Sequence, residues 1–371
     1  MTSIAAPRGR PSPKPPIRAM LVDDSGVTRA LMTRWLVDAG IDVVATARDG
    51  QEALETVAKA APDVLLLDVE MPRLGGIEVL PALLAAAPDM RVIMASSLTT
   101  RSAEVTIEAF RLGASDAIAK PMSGWASHGA PEFRGELVRK VRALGESQAA
   151  RPQLQVRAKG PVHRDPATED SPPLSLVLPE GPPPDLIVIG ASTGGPNALF
   201  GLLARLPADS RAPIVITQHM PPTFTKIFAE HLGRVSGRPA QEAEHGAPLA
   251  PGSIYVAPGG RHLEVMRGGP HGTARLSDAK PENFCRPSVN PLFRSAAAWG
   301  EQALALVLTG MGTDGLEGVQ VLKQAGGRVA VQDAASSIVW GMPGCVARAG
   351  LADAVLGLEP LRAVLRTELT R

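Results

Sequence analysis

The chain has 371 residues, a formal net charge of +1 and 44% hydrophobic residues. That length allows two or three domains with sizeable cores, and the near-zero charge removes any bulk electrostatic drive toward nucleic acid or an acidic membrane. Aromatic content of 3%, with a single Tyr, argues against a stacking platform for single-stranded nucleic acid.

Cys285 and Cys345 form no CxxC pair. Neither a disulfide framework nor a zinc site is expected, and a reducing cytoplasm suits such a chain. Residues 1–16 are Pro-rich and basic, without the apolar segment of a secretory signal. A disordered lead-in is expected there. No apolar run approaches the ~18 residues of a membrane-spanning helix, so membrane insertion is not expected.

From residue 17 to 148, five short apolar runs alternate with helical patterns. The predicted strands are Ile17–Asp23, Asp42–Thr46, Val64–Asp68, Val92–Ser96 and Asp116–Lys120, with helices between them and after Pro131. Such alternation implies a parallel sheet covered on both faces. Ligands bind such sheets at the carboxyl ends of the strands. There stand Asp23, Asp24, Asp68, Ser96 and Lys120. Converging carboxylates without a counter-charge repel one another. A divalent cation with oxygen ligands resolves that, and Mg²⁺ suits the set. A carboxylate beside Mg²⁺ can attack a phosphoryl group, with Ser96 and Lys120 holding its oxygens. The plainer alternative is that acidic residues merely follow strands in turns.

Val22-Asp23-Asp24-Ser25, Leu67-Asp68-Val69-Glu70-Met71-Pro72, Gly75-Gly76, Met94-Ala95-Ser96-Ser97 and Gly113-Ala114-Ser115-Asp116, leading to Lys120-Pro121, together resemble the response-regulator receiver domain. The resemblance implies a flavodoxin-like (βα)5 fold with Asp68 as phospho-acceptor. It also implies Mg²⁺ held by Asp24, Asp68 and the backbone carbonyl of Glu70, with help from Asp23. Ala117 stands where many receivers carry a switching aromatic, which counts against an aromatic-rotamer switch.

Residues 149–184 are rich in proline, including Pro182-Pro183-Pro184, and carry interspersed charges. An extended, semi-rigid linker is expected. Arg151, Arg157 and Lys159 are read as solvated charges of that linker, not as a nucleic-acid patch.

In 185–371 strand and helix alternate again. Asp185–Ala191 reads as a buried strand, Gly194-Gly195 as a tight turn and Pro196 as the first turn of a helix that includes Asn197–Arg205. Ser192 therefore sits on a strand-to-helix bend, the setting of an acyl-transfer nucleophile. A dinucleotide site is disfavoured, because Ser192 replaces the middle glycine of that fingerprint, and no Gly-Lys-Ser/Thr follows for a P-loop. A simple helix N-cap is the plain alternative. Pro213–His219 is the next strand, and another helix starts after Met220. Residues 240–290, with short stretches at Ser253–Ala257 and His262–Met266, suggest a β-hairpin insertion. Asn290–Trp299, Ala303–Thr309, Leu316–Gln324 and Glu359–Leu369 continue as helix, strand, helix and closing helix, a doubly wound parallel α/β domain.

Ser192, His219 and Asp314 each follow the carboxyl end of a different predicted strand. A hydroxyl, an imidazole and a carboxylate on one rim make a Ser-His-Asp arrangement. The order Ser, His, Asp differs from the Ser, acid, His order of α/β-hydrolases. His231, His245, His262 and His271 lack comparable placement. Backbone N–H groups of Thr193 and Met311 are candidates for an oxyanion hole.

Gly190-Ala-Ser192-Thr-Gly-Gly-Pro, Gln218-His219-Met-Pro, Tyr255-Val-Ala-Pro-Gly-Gly, Arg286-Pro-Ser-Val, Leu308-Thr-Gly-Met-Gly-Thr-Asp314-Gly and Gly341-Met-Pro resemble the catalytic domain of the CheB-type protein-glutamate methylesterases. The resemblance implies that Ser192, His219 and Asp314 are the triad and that no cofactor serves the ester chemistry. It implies as substrate the glutamyl γ-methyl esters of methyl-accepting chemoreceptors, with deamidation of receptor glutamines in many members. It also implies a chemotaxis histidine kinase as phosphodonor and a receiver that packs over the active-site rim until Asp68 is phosphorylated. Asn290 stands where Asp is expected and is taken as peripheral. Two other classes remain at this point: a non-catalytic regulator with a partner-binding second domain, and a general serine esterase. A DNA-binding output is disfavoured, since no helix-turn-helix with a basic recognition helix follows the linker.

Overall fold

A computed structural model describes residues 15–121, 130–158, 177–207, 210–268 and 271–371. Nearly all of the expected lead-in, and residues 159–176 of the expected linker, lie outside the described residues.

The first sheet contains β1 (Arg18–Val22), β2 (Asp42–Ala47), β3 (Val64–Asp68), β4 (Arg91–Ser96) and β5 (Asp116–Ala119), all parallel, in the order β2-β1-β3-β4-β5. β3 is apolar up to its final Asp because it is buried on both faces. Helices α1 (Gly26–Asp38), α2 (Gly50–Ala60), α3 (Gly76–Ala86), α4 (Thr100–Arg111) and α5 (Ala130–Ala158) accompany it. Ser25, Asp49 and Thr99 cap α1, α2 and α4 by accepting a backbone N–H three residues on. The strand order reverses between β1 and β3, which opens a crevice at their carboxyl ends.

α5 continues past residue 148 to Ala158, into the stretch expected as linker. Ala149, Ala150, Arg151, Gln153, Leu154 and Gln155 are good helix formers, a signal that the proline count had masked.

The second sheet is also parallel. It contains β6 (Leu186–Ala191), β7 (Ile214–Gln218), β8 (Ala240–Glu242), β9 (Ile254–Val256), β12 (Ala303–Val307), β13 (Arg328–Gln332) and β14 (Ala354–Leu356), in the order β14-β13-β12-β6-β7-β9-β8. β10 (His262–Met266) pairs antiparallel with β11 (Thr273–Ser277). The expected hairpin insertion is therefore narrower than 240–290: β8 and β9 extend the main sheet in parallel, and only β10-β11 form a hairpin. Three-residue strands are too short to reveal their partner by alternation. Helices α6 (Gly195–Leu203), α7 (Pro222–Ser236), α8 (Val289–Ala296), α9 (Leu316–Gln324), α10 (Met342–Arg348) and α11 (Leu358–Thr370) complete the domain. β6 lies between β7 and β12, at this sheet's own reversal of order. Among the described residues no helix is long and apolar enough to cross a membrane.

The two domains meet through α4, which packs on α6 and α7. Thr193 Oγ1 donates to Asp116 Oδ2 at 2.6 Å, Gly194 N to the Ser115 carbonyl at 3.1 Å, and Asn197 Nδ2 to the Ala114 carbonyl at 2.9 Å. Ser147 Oγ donates to the Ile338 carbonyl.

At the opposite side of the second domain, buried Arg328 of β13 makes a two-pronged pair with Glu368 of α11, at 3.1 and 2.9 Å, and donates to the Pro182 carbonyl at 2.8 Å. Removing one partner leaves a buried, uncompensated charge. Glu368→Ala is expected to cost about 3–5 kcal/mol, measured as a lower urea midpoint for unfolding of the second domain.

Candidate active site and phospho-acceptor site

Ser192 follows β6, His219 follows β7, and Asp314 lies in the loop between β12 and α9. Three adjacent strands therefore deliver the three side chains to one rim. Gly194 makes the bend possible with φ of +78°, a left-handed conformation that side chains disfavour. Gly310 allows close approach: a Cβ there would lie 3.0 Å from Ser192 Cβ and would collide with Met342. Gln218 steadies the bend by donating its side-chain amide to the Ser192 carbonyl at 3.0 Å.

Ser192 Oγ lies 3.1 Å from His219 Nδ1, and His219 Nε2 lies 2.8 Å from Asp314 Oδ2. The carboxylate accepts the Nε2 proton, which leaves the Nδ1 lone pair facing the hydroxyl. The ring nitrogens thus exchange the places they hold in the chymotrypsin-type triad, a geometry that would serve the same proton relay.

Asp314 is buried yet richly supplied with donors. Besides His219, it accepts from Ser288 Oγ (2.7 Å), Val289 N (2.7 Å), Gly315 N (3.0 Å) and Asn283 Nδ2 (3.2 Å). Ser288 and Val289 form the N-terminus of α8, where the helix dipole favours an anion. Burial opposes the carboxylate, but His219, Val289 and Ser288 outweigh it and hold its pKa at about 2. Burial likewise opposes charge on His219; the hydrogen bond to Asp314 and the sulfur of Cys285 outweigh it and raise the ring above its ordinary value.

Sequence reasoning missed several supports. Asn290 is not peripheral. It is fully buried, and its Oδ1 accepts from Gly315 N at 3.0 Å and Gly318 N at 2.9 Å, capping α9 next to Asp314. Its Nδ2 finds no partner among the described residues; the Asp expected at this position would have no such donor to leave unsatisfied. His262 is buried and accepts the Ser288 N–H at 3.1 Å. Cys285 Sγ lies 3.4 Å from His219 Nδ1. Only the proximity of these groups to the rim in sequence motifs hinted at them.

Thr193 and Met311 line the same cleft, of about 740 Å³, as Ser192 and His219. One wall belongs to the first domain: Ala117, Ala119 and Lys140 line it, so Ala117 offers a methyl group where an aromatic ring was the common alternative. Asp116 Oδ1 accepts from Lys140 Nζ at 2.8 Å while Oδ2 holds Thr193.

In the first domain Asp23, Asp24 and Asp68 converge, with one carboxylate oxygen of each lying within 4.8 Å of the others. They are not without counter-charge, as the sequence had suggested. Lys120 Nζ lies 2.6 Å from Asp68 Oδ2 and 2.8 Å from Asp23 Oδ2. Burial pushes Asp68 up to about 6 against the pull of Lys120. Burial works against the Lys120 charge too, yet Asp68 and Asp23 hold it above its ordinary value. Ser96 Oγ is buried with no partner among the described residues. Glu70 follows β3, its N–H donating to Asp68 Oδ1 at 3.4 Å and its side chain accepting from Ser102 Oγ at 2.7 Å. An all-oxygen set beside an orphan hydroxyl fits a hard divalent cation and an incoming anionic group.

The model of the CheB methylesterase family matches residues 187–365, and that of the response regulator receiver domain matches residues 19–125. The chain is 49% identical to protein-glutamate methylesterase/protein-glutamine glutaminase 2 of Caulobacter vibrioides, over 93% of this chain and 96% of that one. It is 48% identical to the corresponding protein 1 of Paramagnetospirillum magneticum, over 93% and 94%. The catalytic domain of the Thermotoga maritima CheB methylesterase is 38% identical with a TM-score of 0.47, covering 49% of this chain and 98% of that one.

The hydrogen bond to Asp314 sets the state of the ring. His219 is expected to titrate above the ordinary imidazole range by NMR of the ring nitrogens, with the neutral form carrying its proton on Nε2. Asp314→Asn should move that titration to lower pH; an unmoved titration would detach the carboxylate from the proton.

Proposed function

Since this chain belongs to the CheB methylesterase family and carries a receiver domain, we propose that it is a phosphorylation-regulated hydrolase of glutamyl γ-methyl esters on chemoreceptors, with Ser192, His219 and Asp314 as its triad. The names of the relatives support both methyl-ester hydrolysis and glutamine deamidation. The observation that carries the chemical reading is the unbroken hydrogen-bonded run from Ser192 Oγ through His219 to Asp314.

In the neutral-ring form, Ser192 gives its proton to His219 Nδ1 as Oγ attacks the ester carbonyl. Asp314 stabilises the imidazolium that results. The oxyanion faces backbone N–H groups of the Thr193 and Met311 segments. His219 returns the proton to the departing methoxide, so methanol leaves and an acyl-enzyme remains. Water, deprotonated by the same nitrogen, then frees the glutamate carboxylate and restores Ser192. With a glutamine substrate the leaving group is ammonia. No cofactor enters these steps. The protein would act in the cytoplasm on the receptors' cytoplasmic face, with no role for nucleic acid.

In the receiver, Asp68 would take the phosphoryl group from a chemotaxis histidine kinase. Asp23, Asp24, Asp68 and the Glu70 carbonyl would hold Mg²⁺, which offsets the charge of the transferring oxygens. Ser96 and Lys120 would hold those oxygens once Lys120 is released from the bare carboxylates. The receiver edge at Ala114–Asp116, hydrogen-bonded to Thr193, Gly194 and Asn197, would restrain the rim until phosphorylation loosens it.

The test is release of labelled methanol from methylated receptor. Ser192→Ala should lose roughly 10³-fold or more, and wild type but not Asp68→Asn should accelerate with a small phosphodonor. Ser192→Ala activity near wild type would remove the nucleophile. A wild type indifferent to the phosphodonor would remove the gate.

A second expectation concerns pH. Only ionised Asp68 is a nucleophile, and its pKa is raised to about 6. In the metal-free protein the Asp68 side-chain carboxylate should therefore titrate near 6 by carbon NMR, well above the ordinary carboxylate range. The same shift means that the Asp68 carboxylate weakens folding above that pH, so Asp68→Asn should be the more heat-stable protein at neutral pH and lose that advantage in acid.

A further inference from the structure

The short connection between the β10-β11 hairpin and α8 carries a thiol to the reacting side of His219. Glu282 and Cys285 exchange backbone hydrogen bonds at 3.2 and 2.8 Å, closing a two-residue turn. Asn283 and Phe284 at its tip both have positive φ, 50° and 63°. Asn283 Nδ2 ties the turn to Asp314. Cys285 is thereby fixed with Sγ 3.4 Å from His219 Nδ1, the same nitrogen that Ser192 Oγ approaches at 3.1 Å.

We propose that Cys285 Sγ, His219 Nδ1 and Ser192 Oγ form a binding site for a thiophilic divalent cation, Zn²⁺ foremost, whose capture blocks the nucleophile. The spacing suits it. A tetrahedral ion with Zn–S of ~2.3 Å and Zn–N of ~2.0 Å places sulfur and nitrogen about 3.5 Å apart. The donor set suits it too, since thiolate and imidazole select zinc over Mg²⁺ or Ca²⁺.

Asp314 does not bind the ion, although one of its oxygens lies within 4.8 Å of the Cys285 sulfur and of a His219 ring nitrogen. It sits across the imidazole, on the Nε2 side, 2.8 Å away. There it fixes the tautomer with its lone pair on Nδ1, completing a carboxylate–histidine–metal series. The tautomer required of a general base is the tautomer required of a zinc ligand. On binding, the Cys285 thiol and the protonated His219 ring each release a proton to solvent, the latter from Nδ1, whose lone pair then closes on the ion, and no electrons change hands. Water from the cleft, which Ser192, His219 and Cys285 all line, supplies the remaining position. Zinc and the Ser192 proton cannot share Nδ1, so occupancy and hydrolysis exclude each other.

The experiment uses the full chain with excess Mg²⁺, and Co²⁺ as a spectroscopic stand-in. A thiolate-to-cobalt charge-transfer band should grow and saturate at one equivalent, and Zn²⁺ should bleach it. The oxygen-only cluster at Asp68 cannot produce that band, which also stands independently of the esterase reading. Cys345→Ala should keep the band; Cys285→Ala and the gentler Cys285→Ser should lose it with far-ultraviolet circular dichroism unchanged. Zinc inhibition of methanol release, each variant scaled to its own zinc-free rate, should need at least roughly tenfold more zinc without Cys285. No band in the wild type, a band surviving in both Cys285 variants, or equal zinc sensitivity with and without Cys285 would overturn the proposal.

Discussion

The Asp314 carboxylate is buried at 2% exposure and must be solvated by protein alone. An unpaired charge at such a depth is untenable. Five donors surround it, from His219, Asn283, Ser288, Val289 and Gly315. They come from the end of β7, the Asn283–Phe284 turn, the start of α8 and the start of α9. A single carboxylate therefore fixes the relative positions of four separate chain segments. His219 is oriented by that fixed anion, and Ser192 is oriented by Gln218 and by the glycines on either side of the rim. Under the proposed mechanism, reactivity at Ser192 is thus a consequence of how the protein satisfies one buried charge.

The same requirement explains what could be seen in the sequence. Buried parallel strands are continuous apolar runs, and the residue that ends each run faces the ligand edge, so β1, β3, β6, β7 and β12 and their terminal Asp, Ser and His residues stood out. Leu316–Gln324 and His262–Met266 fall where the pattern placed them. The supports of Asp314 left no such trace. Ser288, Asn290 and His262 act through hydrogen bonds between segments distant in sequence, and periodicity carries no information about these. Asn290 looked like an incidental Asp-to-Asn difference because its role, capping α9 from the N-terminus of α8, exists only after both helices pack. β8 and β9 were similarly opaque, since strands of three residues take their partner from the sheet they join.

Under the proposed zinc site, proximity in the fold matters where spacing in the chain did not. Two cysteines far apart in the chain say nothing of metal, but zinc does not count residues. A single thiol becomes a ligand when a turn holds it at the ligating nitrogen of a histidine, and the Glu282–Cys285 turn does so because Asn283 is bonded to the triad.

The coupling between the two sites, under the proposed regulation, runs through one short strand. β5 begins with Asp116, bonded to Thr193 and Lys140, and Lys120, bonded to Asp23 and Asp68, follows its last residue. Both ends are therefore held by charge. A phosphoryl group on Asp68 adds negative charge at one end and draws Lys120 from its present partners toward new oxygens. Ala117 carries no ring whose rotamer could relay the change. The backbone of β5 itself is left as the connecting element, and its displacement acts on the Asp116–Thr193 hydrogen bond one residue from Ser192. A strand pinned by ion pairs at both ends responds to charge at either, so the state of Asp68 and the freedom of the Ser192 rim are two aspects of one equilibrium.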